Sequence, residues 1–161
     1  MLESQKYSEC QLVTAINAAA HLGELPVRPE TEEYERLVDL VHARNGAAIA
    51  ICRALPYLRI KRKAMPLRWS AVKRALDQGL PVGLDVYCTR IGLHSILCTD
   101  YRERRRLQFL RVWNLKSAPS GWISWHWLKT HRGDDWWSVR EKAYQYEVDS
   151  LYKSQKNTLE K

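Results

Sequence analysis

Residues 81–115, PVGLDVYCTRIGLHSILCTDYRERRRLQFLRVWNL, decide the fold class of the chain. Three runs within this stretch, 81–87, 93–101 and 107–115, are rich in the β-branched, aliphatic and aromatic residues that β-strands favour. The charged turn RERRR separates the second run from the third, which predicts a β-hairpin. This part of the chain is therefore expected to form an antiparallel sheet.

The residues before this stretch carry helical patterns. Residues 8–22, SECQLVTAINAAAHL, have Ser8 as a candidate N-cap and Gln11 three residues later, and the pattern stops at Gly23. Apolar side chains lie nearly all round this helix, so we expect it to be central and buried. Further helices are predicted at 29–44, 47–54 and 69–78, and an exposed strand at 57–63.

Length and pattern together predict a single α+β domain of 161 residues. Its helical part spans about 1–80, its sheet part about 81–130, and a C-terminal helix at 139–156 lies within a final segment of about 131–161. No apolar run approaches the roughly 18 residues of a membrane span, and no apolar signal core begins the chain. These observations predict a cytoplasmic protein. The 4 Cys include no CxxC pair and no short disulfide-type spacing, so the sequence favours neither a zinc module nor a disulfide scaffold. We expect no metal site and no cofactor.

The net charge of +8 is unevenly distributed. Residues 1–39 contain 3 basic and 8 acidic residues, whereas residues 40–116 contain 16 basic and 4 acidic residues. One cluster of four arginines lies at 102 and 104–106. Such a basic segment is either a solvated surface or a patch for nucleic acid or an acidic protein partner, and the sequence leaves both open.

Three polar residues form a candidate catalytic group. Cys10 lies in the first turn of the predicted buried helix, where unpaired N–H groups favour the nucleophilic thiolate. A three-residue hairpin turn at 103–105 would place His94 directly opposite Asn114 on one face of the sheet. An amide beside an imidazole can hold one ring nitrogen and leave the other to serve a thiol.

The order of these features resembles the papain-like cysteine peptidases. A Cys at the start of a buried helix precedes GLPVGLDV (79–86), GLHSILCTDY (92–101) and LRVWNL (110–115). Over roughly residues 4–116 the pattern is similar to the double-glycine leader peptidases of bacteriocin exporters and their stand-alone relatives. The resemblance implies N-terminal helices, including a central buried helix, packed on a C-terminal antiparallel sheet. It also implies that Cys10 is the nucleophile, His94 the general base and acid, and Asn114 the residue that orients the imidazole.

The same resemblance implies an oxyanion hole with a glutamine side chain as one donor. Gln5 is the main candidate and Gln11 the weaker one, with the backbone N–H of Cys10 as the second donor. Because they follow Asn114 closely in the chain, Trp122 and Trp125 are the candidates for a substrate groove.

Together these features predict a cysteine peptidase that cleaves a peptide or protein substrate through an acyl-enzyme. The size and the Trp-rich C-terminal part would suit a bacterial or phage accessory protein. The alternative is a binding module of the same fold that has no turnover and uses its basic surface to hold nucleic acid or an acidic protein.

Overall fold

Helices and an antiparallel sheet make up the part of the chain that the computed structural model describes, residues 10–24, 27, 31–42, 51–88, 92–115, 120–130 and 137–150. The helices are α1 (Cys10–His21), α2 (Glu32–His42), α3 (Ile51–Ala54), α4 (Trp69–Asp77) and α5 (Trp125–Thr130). The strands are β1 (Ile60–Met65), β2 (Val82–Cys88), β3 (Gly92–Arg104), β4 (Leu107–Trp113), β5 (Trp122–Ser124) and β6 (Trp137–Val148). The predicted α+β class is confirmed. Within these ranges, no helix has the length and apolar character needed to cross a membrane.

The six strands form one sheet in the order β1-β6-β2-β3-β4-β5, with antiparallel neighbours throughout. Helix α1 lies on one face, where nine of its 12 residues are buried. Side chains alternate between the two faces along β3. Leu97 packs on the face of α1, α2 and α3, whereas Ile96 and Cys98 pack on the other face, with α4 and α5. The sheet therefore separates two apolar cores.

Local signals in the sequence account for the helix ends. Gly23, at φ +82°, ends α1, and the N–H of Glu24 donates to the carbonyl of Ala19. Helix α2 begins after Thr31, whose Oγ1 accepts the N–H of Tyr34 at 3.2 Å. Ser8, the predicted N-cap of α1, lies outside the described residues.

The predicted register of the β3–β4 hairpin is wrong. The turn has two residues, Arg105 and Arg106, both at positive φ (48° and 69°), and Arg104 pairs with Leu107. This left-handed pair matches the twist of a tight hairpin, although the sequence lacks the Asn-Gly signal that usually marks it. The register then shifts between Cys98 and Asp100, so that Leu97 pairs with Trp113. His94 is consequently not directly opposite Asn114.

The C-terminal helix predicted at 139–156 is also wrong, because residues 137–148 form strand β6. This strand lies inside the sheet, between β1 and β2. The charged residues 140–142 interrupt the apolar alternation of the sequence, and the β2–β6 register shifts at the same place, between Leu84 and Val86. Long-range pairing with two strands therefore overrides a weak local pattern.

Candidate active site

Cys10 begins helix α1 and is buried, with 8% of its surface exposed. Burial raises the pKa of its thiol, and the charge of Asp85 adds to that increase. Hydrogen bonding by the backbone of Ser95, of Gln11 and of Cys10 itself acts in the opposite direction and lowers the pKa. Since the net effect is an increase, the thiol is neutral at neutral pH and has amide groups placed to stabilise a thiolate.

The contact with Ser95 joins α1 to the end of the sheet. Strand β4 ends at Trp113, opposite Leu97, so Ser95 extends past the end of its neighbouring strand. Its carbonyl accepts a hydrogen bond from Thr14 Oγ1 at 3.0 Å and another from Asn114 Nδ2 at 3.3 Å. These buried bonds hold the first turns of α1 beside residues 94 and 95 of β3.

His94 is half-buried, and its Nε2 lies 2.5 Å from the main-chain carbonyl oxygen of Asn114. A carbonyl can only accept, so Nε2 carries the proton and Nδ1 carries the lone pair. Burial lowers the pKa of His94, and the Asn114 carbonyl partly offsets this decrease. The imidazole is therefore neutral at neutral pH, with Nδ1 as its basic atom.

Asn114 reaches both partners because its backbone is left-handed, at φ +66°. Asparagine tolerates this conformation better than most residues, and here it turns the chain away from the end of β4. We expected the side-chain amide of Asn114 to contact the ring of His94. The main-chain carbonyl makes that contact, and the amide nitrogen donates to Ser95.

The structure thus joins Cys10 to Ser95, and His94 to Asn114, at one end of β3. Alternation places His94 on the sheet face of Ile96, whereas α1 covers the opposite face. The thiol and the imidazole approach the same strand end from two sides of the sheet. Direct contact between Cys10 and His94 stays a prediction.

The predicted donors of the oxyanion hole have different outcomes. Gln5 lies outside the described residues, so its role stays a prediction. Gln11 is half-buried in the first turn of α1, and its backbone acts on the Cys10 thiol. Backbone groups at this helix start are placed to bind negative charge.

The two tryptophans predicted to line a substrate groove do not lie beside Cys10. Trp125 is buried and packs against Trp69, with ring centres 5.7 Å apart, so it belongs to the core. Trp122 is half-buried on β5, opposite Arg111, which in turn pairs with Asp100 of β3. That position lies six residues from His94, roughly 20 Å along the strand. Closeness in the chain was a poor guide here, because β4 and β5 run in opposite directions.

Two residues of the site were missed from the sequence. Thr14 follows Cys10 by four positions, a spacing that puts both on one helix face, so the signal was present. Ser95 acts through its main chain, and a main-chain role of this kind cannot be predicted from the side-chain pattern of the sequence.

Among the described residues, no group of three or more His, Cys, Asp and Glu side chains is placed to hold a metal ion. Comparisons with protein-family models, with curated proteins and with solved structures give no match. The chemistry of the site is therefore the basis for assigning a function.

Proposed function

We propose that the chain is a papain-like cysteine peptidase that hydrolyses a peptide or protein substrate through Cys10. The observation that carries the proposal is a buried cysteine at the start of a central helix, against the strand residue that follows His94, with that histidine bonded to Asn114. The α+β architecture and the order of the sequence motifs also support it.

The resting state of this site has a neutral thiol and a neutral imidazole at the same end of β3, because burial disfavours the charged form of each group. His94 then acts as a general base during attack. In the proposed mechanism Cys10 and His94 come into the predicted contact, and Nδ1 takes the thiol proton as Cys10 Sγ bonds to the carbonyl carbon of the substrate. The Nε2–H bond to the Asn114 carbonyl strengthens as the ring becomes an imidazolium.

The tetrahedral intermediate collapses when the imidazolium returns its proton to the leaving amine and the C–N bond breaks. Backbone N–H groups at the start of α1, with the side chain of Gln5 or Gln11, would stabilise the oxyanion. Water then attacks the acyl-enzyme, His94 takes the water proton, and the thiol and the imidazole return to their neutral forms. The carboxylic acid leaves with the oxygen of the attacking water.

A peptide-mixture digest tests the proposal. Wild type, Cys10→Ala and Cys52→Ser are incubated with a complex peptide mixture, and new termini are identified by mass spectrometry. Cys52 is exposed and lies on α3, so its replacement is a matched control for loss of a thiol. We expect cleavage by wild type and by Cys52→Ser, and a loss of at least about 1,000-fold in Cys10→Ala.

Two outcomes of the digest contradict the assignment. Equal cleavage by wild type and Cys10→Ala means that Cys10 is not the nucleophile. Absence of cleavage, together with no stable adduct between Cys10 and a panel of peptide aldehydes, means that the site has no peptidase activity.

A further inference from the structure

A second candidate site lies at the other end of β3, around the hairpin. A groove of about 610 Å³ is lined there by arginines and aromatic or apolar side chains: Arg102, Arg104, Arg105, Leu107, Phe109 and Trp122. Arg102 lies eight residues from His94, roughly 26 Å along the strand. The groove is therefore separate from the candidate active site.

This part of the sheet extends beyond the helix that covers the same face. Helix α1 ends at His21, which interacts electrostatically with Asp100. The strands continue past that point to the hairpin turn, where Leu107 is 57% exposed. The guanidinium carbon of Arg102 lies 3.8 Å from the centre of the Trp122 ring. The guanidinium of Arg102 thus covers one face of the half-buried Trp122 ring on an open sheet face.

The groove is strongly positive. Its lining residues include three arginines and no acid. Glu103 belongs to the opposite face, where it accepts hydrogen bonds from Lys73 and Trp69 at 2.8 Å each. Asp100 also lies on the groove side of β3, but it does not line the groove, and its register partner on β4 is Arg111.

The two arginines of the hairpin turn add to the positive charge, although their backbone conformation is unfavourable for arginine. Arg105 and Arg106 both have positive φ, where glycine and asparagine are more favourable. Both arginines are exposed, so core packing does not require them. A strained turn made of surface arginines is consistent with a role for their charge in binding.

We propose that this groove binds single-stranded nucleic acid. Phosphates would pair with Arg104 and Arg105, and unstacked bases would stack on Phe109 and on the outer side of the Arg102 guanidinium, which Trp122 supports from below. An acidic peptide would satisfy the charges but would offer no rings to the aromatic side chains. A duplex hides the faces of its bases, so the open aromatic surface favours a single strand.

Fluorescence anisotropy with a labelled oligo-dT of about 12 nucleotides, at low salt, tests the proposal. Wild type should bind with an affinity that falls as salt rises, because phosphate contacts release counterions. Arg104→Glu should weaken binding at least about tenfold and flatten the salt dependence. Lys63→Glu makes the same charge change on exposed β1, at the far side of the sheet, and should change affinity less than about twofold.

Two further variants separate stacking and folding from charge. Trp122→Ala should weaken binding about 5- to 100-fold while the slope of affinity against salt stays close to that of wild type. Arg105→Asn combined with Arg106→Gly should weaken binding although the fold becomes more stable. Lower affinity in that variant cannot be attributed to unfolding.

Several results would overturn the proposal. They are no binding of oligo-dT at low salt, equal affinity for a polyglutamate peptide, equal affinity for a matched DNA duplex, or an equal loss in Lys63→Glu and Arg104→Glu. None of these results bears on Cys10, so failure here is distinguishable from failure of the peptidase assignment.

Discussion

At the scale of single residues, burial determines the protonation state of the Cys10 thiol. Burial raises its pKa above the ordinary value of 9.0 despite the nearby backbone amides. We therefore expect alkylation of Cys10 by iodoacetamide to accelerate with pH until above pH 9, with no plateau near neutrality. Peptide mapping by mass spectrometry from pH 6 to 10, in a Cys52→Ser background, measures the rate at each cysteine separately.

Cys98 serves as the internal reference for this measurement. It is fully enclosed in the core, and burial raises the pKa of its thiol further still, so it should not react while the protein is folded. A Cys10 thiolate that titrates below pH 8 would contradict the neutral pair and would indicate a preformed thiolate–imidazolium pair.

His94 should contribute to the loss of stability in acid. Burial lowers its pKa below the 6.5 of an unfolded chain, so the unfolded state binds the proton more readily. The contribution of neutral His94 to the free energy of unfolding is fully present above pH 6.5. It falls as the pH decreases through 6.5 and stops falling below the pKa of His94 in the folded protein. His94→Gln keeps a donor for the Asn114 carbonyl but cannot titrate.

Urea unfolding between pH 5 and pH 8 tests this prediction. The free energy of unfolding should fall less steeply towards pH 5 in His94→Gln than in wild type. Burial also lowers the pKa of His21, so adding His21→Gln should flatten the profile further. Identical slopes for wild type and His94→Gln would show that the imidazole is not buried in the neutral form.

At the scale of elements, the contact between β2 and β6 depends on one glycine. A Cβ at Gly83 would lie 2.8 Å from Cε2 of Tyr146, whose ring is fully buried. We expect Gly83→Ala to destabilise the protein by about 1–3 kcal/mol in urea unfolding. Combining it with Tyr146→Leu should give a smaller loss than the sum of the two single variants, whereas strict additivity would contradict a direct clash.

The hairpin turn should be easy to stabilise. Arg105 and Arg106 occupy positions of positive φ, where Asn-Gly is the favoured pair. Replacing them with Asn and Gly should raise the free energy of unfolding by about 1 kcal/mol. Arg104→Asn, on the neighbouring strand position, is the control and should not stabilise. An unchanged or lower stability of the Asn-Gly variant would argue against the two-residue turn.

Elements with strong local signals could be predicted from the sequence. Helix α1 ends at the predicted Gly23, α4 occupies most of 69–78, and strands β2 to β4 lie within a few residues of their expected bounds. Both helices combine apolar residues at helical spacing with a glycine just after their end, Gly23 or Gly79, and the strands are runs of residues that favour β-structure. Strand β6 could not be predicted, because its place between β1 and β2 depends on pairing with residues far away in the chain.

The candidate site was predictable to the same degree. Cys10 and His94 can be predicted as site residues from the sequence because their side chains carry the chemistry, and both lie at the same end of β3. The hairpin register cannot be predicted from the sequence, because neither the left-handed conformation of the two turn arginines nor the register shift at Thr99 changes the pattern of apolar residues. The contacts of Ser95 and the Asn114 carbonyl are made by the main chain, which the residue type does not specify.

At the scale of the whole molecule, the acidic and basic segments of the sequence form separate acidic and basic surface grooves. Helix α2 lines a groove of about 1010 Å³ that includes Glu32, Glu33 and Asp39. The basic groove lies on the β3–β4 hairpin and β5. The net charge of +8 therefore does not describe a uniformly basic surface, and an anionic ligand should be directed to the hairpin end of the sheet.

This separation predicts that the two candidate sites work independently. The groove at Arg102 lies roughly 26 Å from His94, and the stretch of β3 between them is a regular part of the sheet core apart from the shift near Thr99. With saturating oligo-dT, the alkylation rate of Cys10 should therefore stay within about twofold of the rate without oligonucleotide. The affinity of Cys10→Ala for the oligonucleotide should likewise stay within about twofold of the wild-type affinity. The oligonucleotide should also raise the melting temperature of both proteins equally, because it stabilises the folded state by mass action alone. Protection of Cys10 by more than about fivefold would place the nucleic acid over the active-site end of the sheet, and Trp122→Ala would then leave that protection unchanged.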